Sequence, residues 1–141
     1  MDKNYYGGDY VMRLIEHFDL NFCLGNALKY ILRAGKKHDR IIEDLAKSVD
    51  YVNRQILKGK KYRNILAPTG ERAEFADEAI TTFNLTGNLN LSKAVEILCS
   101  DEAYESSSLI TVRLLLEKEI HELEDRQTNE TGNHTGPQGQ N

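Results

Sequence analysis

The sequence predicts an all-α protein: a small helical domain of about five to six helices with a disordered C-terminal tail. Three observations predict it. Apolar residues recur at helical spacing along most of the chain, strand-like alternation is weak everywhere, and residues suited to capping or stopping helices (Asn21, Gly35, Gly59) stand between the periodic stretches. Residues 1–126 form a single helical domain and 127–141 the tail.

Gly7-Gly8 closes a short aromatic arm, Asn4-Tyr5-Tyr6. Asp9 then caps a first helix to about His17, with Val11, Leu14, Ile15 and Phe18 on one side. Asn21 caps a second helix to Arg33, which ends with Gly35 in the C′ position. Asp39 caps a third, where Ile41, Ile42, Leu45, Val49, Val52 and Ile56 recur until Gly59. The basic stretch KGKKYRNILAPTG, with Pro68 and Gly70, reads as a loop between two helical halves.

Thr69 to Phe83 reads as the fourth helix. LTGNLNLS is a turn, and Ser92 caps a brief helix to Leu98. Ser106 to Arg126 carries the longest pattern, a stripe of Leu109, Val112, Leu116, Ile120 and Leu123 widened by Leu114 and Leu115. That stripe can cover the chain's own core or receive a partner chain, and a homo-oligomer is expected. The final QTNETGNHTGPQGQN offers no apolar side chain to bury. No internal repeat is visible.

A chain of 141 residues that is 40% hydrophobic suits one compact domain with a tail. Cys23 and Cys99 both lie inside apolar runs and read as buried thiols, not as a disulfide framework. No Cys-x-x-Cys or His-Glu-x-x-His occurs, so no metal site is expected. Without a signal-like or membrane-spanning apolar run, the expected location is the cytoplasm, with no membrane partner.

Charge is unevenly spread. Residues 29–63 hold 11 basic and 4 acidic side chains, whereas residues 64–141 hold 5 and 14. A basic centre in an acidic protein points to a local anionic ligand. Nucleic acid is not the expected partner, because a duplex-binding protein shows a broader positive face.

Within GNALKYILRAGKK, Asn26, Lys29 and Arg33 stand at i, i+3 and i+7 on one helical face. Gly35 permits a sharp turn that brings Lys36 and Lys37 to the same side. The third helix answers with Glu43, Asp44, Lys47, Asp50, Tyr51 and Arg54, of which Asp44, Lys47 and Tyr51 share a face. Arg offers a planar fork and Lys a mobile point charge for phosphate, and Tyr30 or Tyr51 can stack on a base. The same charges also suit inter-helix ion pairs, which need no ligand. RAGKK is no phosphate loop: the upstream glycine is missing, and Lys37 stands where Ser or Thr would bind magnesium.

LNFCLGNALKYILRAGKK followed by IEDLAKSVDYVNRQI resembles the phage SaV-like family of small proteins often labelled nucleotide kinases. The resemblance spans residues 5–57 and rests on Gly25, Asn26, Lys29, Tyr30, Arg33, Gly35, Lys37, Glu43, Asp44, Lys47 and Tyr51. The family's opening His-Tyr pair is replaced here by Asn4-Tyr5-Tyr6, a departure that bears on catalysis more than on binding. The resemblance implies a phage protein that handles nucleotides, as an oligomer in the host cytoplasm. One implied activity is that of a nucleoside monophosphate kinase lacking a Walker motif, with Mg²⁺ as cofactor and Glu43 and Asp44 as candidate catalytic residues.

The alternative is a non-catalytic sponge that sequesters cyclic nucleotide immune signals. Two lesser readings remain. Glu71 and Glu74 with Glu122 and Asp125 have the spacing of a Mg²⁺-dependent nucleoside triphosphate pyrophosphohydrolase. The acidic C-terminal half also suits an interaction protein that binds a host enzyme.

Overall fold

The computed structural model describes residues 8–36, 39–59 and 69–139, with the side chains of 8, 69–70 and 131–139 left undescribed. The described residues contain six α-helices and no strand: α1 (Gly8–His17), α2 (Phe22–Leu32), α3 (Ile41–Lys58), α4 (Thr69–Thr82), α5 (Leu89–Leu98) and α6 (Ser106–Gly139). The aromatic arm, Lys37 and most of the basic linker lie outside the described residues.

α2 is the central element. Cys23, Leu24, Ala27, Leu28, Ile31 and Leu32 are all buried, so this helix is apolar around most of its circumference. α3 lies against it and α6 against α3; α5 packs on α2, α4 and α6. One continuous core runs through all six helices, with Phe18 and Phe83 as its largest fully buried side chains.

The helices form two trios built on one plan. α1 and α4 each end on a residue with positive φ, Asp19 (50°) and Asn84 (60°), side chains that tolerate this conformation. After it, Leu20 and Leu85 donate their amides back to Ile15 and Ile80 carbonyls, at 3.0 and 2.8 Å. Asn21 and Asn88 then cap α2 and α5, accepting from the amides of Leu24 and Leu91, both at 3.0 Å. Each capping amide also reaches a buried polar residue on the third helix of its trio. Asn21 donates to Gln55 at 2.6 Å, and Asn88 donates to Glu119 at 2.9 Å.

Burial repeats as well. Leu45, Ser48, Val52 and Gln55 of α3 are matched by Leu109, Val112, Leu116 and Glu119 of α6. The repetition escapes the sequence because it resides in burial and capping geometry, while the surface residues of the two trios differ.

Three expected caps move: α1 already begins at Gly8, so Asp9 lies in its first turn and not at its cap. Asn88, not Ser92, starts α5; its side chain caps the helix and ties it to Glu119, while the Ser92 hydroxyl donates to the Leu85 carbonyl at 2.6 Å. At α3 the N-cap is Arg40, without a side-chain cap bond, so Asp39 does not fill that role. α6 continues past Arg126, where Gln127 to Glu130 are exposed. Among the described residues no helix is long and apolar enough to cross a membrane, and both cysteines are free and buried.

Asn21→Ala tests the cap design. It removes the cap of α2 and leaves the buried Gln55 carbonyl oxygen without its donor, so unfolding stability should fall by about 2 kcal/mol. A denaturant midpoint unchanged from the parent would overturn this account.

Candidate functional site

α2 and α3 run antiparallel, held by three contacts that step along them in opposite directions. Asn21 bonds Gln55, the Ser48 hydroxyl donates to the Ala27 carbonyl at 2.8 Å, and the Gly35 amide donates to Asp44 at 3.3 Å. Gly35 sits at φ 73°, and a Cβ there would stand 3.3 Å from the Ile41 Cβ, so the turn requires glycine. This geometry sets the solvent-side ridges of the two helices next to each other.

On those ridges the rings form a ladder. Tyr30 of α2 stacks on Tyr51 of α3, with centroids 6.1 Å apart and planes 10° from parallel. Phe22 meets the other side of Tyr51 edge-on at 5.8 Å. Cations sit over the rings: Lys29 at 5.0 Å and Lys47 at 5.5 Å from the Tyr30 centroid, and Arg54 at 6.0 Å from Tyr51. Lys29 and Lys47, 18 positions apart in sequence, thus converge on one ring.

Arg33 is the C-cap residue of α2, half-buried, and its guanidinium has no ion pair among the described residues. Lys36 follows in the turn, where burial pushes its ammonium below the usual lysine range. Asn26 turns its amide back onto the Phe22 carbonyl at 2.8 Å and lies beside the ladder without touching a cation. Lys37 lies outside the described residues.

The two acidic candidates part company. Asp44 is 5% exposed and serves as an acceptor for the Gly35 amide, which locks the turn between α2 and α3. Glu43 is open to solvent and stands 3.6 Å from Lys47 and 3.7 Å from Arg40. Of the two, only Glu43 is accessible from solvent. Phe22, 71% exposed, is the ladder residue that helical spacing of polar groups misses. Its signal was its place one turn before Asn26 on the same face.

The second trio is an internal control. It keeps the core and the caps, yet the α5 positions equivalent to Lys29, Tyr30 and Arg33 (counting from the buried Leu24 and Leu91) are Glu96, Ile97 and Ser100. On α6, counted from Gln55 and Glu119, Lys47 and Tyr51 correspond to Thr111 and Leu115. The fold therefore does not demand the cation–aromatic set.

Cavities among the described residues lie elsewhere, and three bear on the other readings. One of about 600 Å³ is lined by Asn88, Leu89, Asn90, Glu119 and Glu122 among others. There Asn90 donates to Glu119 and Glu122, both at 3.0 Å, so Glu122 meets an amide and not a facing carboxylate pair. Among the described residues no three His, Cys, Asp or Glu side chains assemble as a metal site. A second cavity, about 160 Å³, lies between α4 and α5 beside the buried Arg72, whose guanidinium stands 3.6 Å from Asp101.

The third, about 340 Å³, is lined by Tyr10, His17, Phe75 and Glu78. Burial, reinforced by a 3.0 Å hydrogen bond to the Glu78 carboxylate, raises Tyr10 from 10.0 to about 12. A folded pKa above the unfolded one gives stability that is complete below pH ~10 and lost as pH climbs toward ~12. Denaturation midpoints should fall more steeply across that window in the parent than in Tyr10→Phe; parallel curves would remove Tyr10 as the cause.

A family model described as protein of unknown function, DUF3310, matches residues 5–53. The match covers α1, α2 and most of α3, and hence the ladder up to Tyr51. Comparison with curated proteins and with solved structures yields no match.

Proposed function

We propose that the chain binds nucleotides on the α2–α3 face, with phosphates held by Lys29, Arg33, Lys36 and Lys47 and a base against the aromatic ladder. The observation that carries the reading is the convergence of Lys29 and Lys47 on Tyr30, itself stacked on Tyr51, in one trio and its absence from the other. The half-buried Lys36 adds to it: a partly dehydrated ammonium gains from an incoming anion what it has lost in water. The resemblance of residues 5–57 to the SaV-like family supports the same ligand class.

The proposal extends to a phage protein acting in the host cytoplasm. Self-association belongs to it as well. The α6 stripe is mostly consumed within the chain, since Leu109, Val112 and Leu116 are buried, while Ile110 and Leu114 stay exposed for a partner copy.

The test is a calorimetric screen of nucleoside mono-, tri- and cyclic phosphates against the full chain, with the recovered ligand analysed for chemical change. Ligand returned intact supports capture. With a nucleoside triphosphate donor, a monophosphate acceptor and Mg²⁺ supplied together, conversion of both to diphosphates supports a kinase, and Glu43→Gln should then slow turnover while leaving binding in place. No binding of any nucleotide would overturn the proposal.

A further inference from the structure

We propose that the α2–α3 ladder accepts a single-stranded run of nucleotides rather than one isolated nucleotide, an inference that rests on the nucleotide reading above and goes beyond it. A mononucleotide needs one ring and one cluster of cations. The face offers more: Phe22, Tyr51 and Tyr30 succeed one another at 5.8 and 6.1 Å, with Arg54 over one tyrosine and Lys29 and Lys47 over the next. Arg33 continues the cationic edge at the end of α2. Aromatic rings that follow one another beside positive charge are the arrangement on which successive bases stack while the phosphates track alongside, largely without regard to sequence.

The rings set the scale: steps of 5.8 and 6.1 Å place three stacking surfaces in succession, a track for about three bases and one ridge wide. Phe22 marks the outer end of that track. It is 71% exposed, so most of its ring faces solvent although its edge contact with Tyr51 holds it on the α2–α3 face. Glu43, beside Lys47, is the acidic group a strand would displace.

The experiment is fluorescence anisotropy on the full chain with a labelled thymidine mononucleotide, a dinucleotide and strands up to about ten nucleotides. Affinity should climb with length and level off at about three nucleotides, one for each ring. Its logarithm should fall with log salt at a slope of about −3, as expected when four cations meet a single strand. Phe22→Ala, at an exposed position, should weaken the longer strands by about five- to hundredfold, a larger factor than its effect on the mononucleotide. Mononucleotide binding with no gain for strands overturns this inference and leaves nucleotide binding standing; no binding of either overturns both. Equal affinity for a duplex of the same length overturns it too, since a general attraction for polyanions would then suffice.

Discussion

A chain carrying Lys29→Gln and Arg33→Gln together should lose nucleotide affinity by about 3–6 kcal/mol, from two charge-assisted contacts of roughly 1.5–3 kcal/mol each. That is at least a hundredfold in Kd. The two side chains stand one turn apart on α2 and are proposed to meet one ligand, so comparing the singles with the double measures their coupling. Titration calorimetry of the two singles and the double reads this directly. Lys93→Gln supplies the control: this exposed cation sits on α5 of the second trio, and its loss changes net charge by the same step without touching the ladder. An equal loss in Lys93→Gln would replace a built site by diffuse attraction. An unchanged affinity in the double would leave the ladder without a ligand.

The ladder accounts for both the success and the shortfall of sequence reading. Asn26, Lys29 and Arg33 on one helix, and Asp44, Lys47 and Tyr51 on the next, were legible because helical periodicity fixes which side chains share a face. A tight turn on Gly35 makes the two helices neighbours, so the meeting of Lys29 and Lys47 follows from topology. What periodicity does not give is the rotation of each face about its axis. Asp44 belongs to the same spacing as Lys47, yet it points inward to hold the Gly35 amide, because the turn leaves that buried N–H in need of an acceptor. Phe22 went unnoticed for the opposite reason. A phenylalanine beginning an apolar helix is ordinarily read as core, and here it faces water.

The all-α architecture was legible in full, since each helix carries its own periodicity and stop. The two-trio plan was not. It is written in which residues are buried and where the caps reach, and Gln55 and Glu119 share a role while sharing no charge. That difference matters for function. With the same core in both trios, the shared plan is built in the second without the cations and tyrosines of the first, and the acids of the second can be recruited to structure.

Glu119 shows such recruitment, and Glu119→Ala should be among the most destabilising single changes in the second trio. Its carboxylate is 4% exposed and accepts from Asn88 at 2.9 Å and Asn90 at 3.0 Å, with the Arg126 guanidinium 3.7 Å away. Alanine would strip Asn88 of its acceptor, leave Asn90 with Glu122 alone and part the largely exposed Arg126 from this carboxylate, at a cost of about 2–4 kcal/mol. Against typical domain stabilities of roughly 5–15 kcal/mol, that loss is severe. Glu119→Gln keeps one acceptor oxygen but turns an NH₂ toward a donor, so it should fall between parent and alanine. Urea denaturation orders the three. Because Glu119 lies on α6, away from the α2–α3 ridges, nucleotide Kd per folded molecule should stay constant across the series. A Glu119→Ala chain as stable as the parent would mean that apolar packing of α6 on α3 and α5 holds the second trio by itself, with the polar clasp contributing nothing.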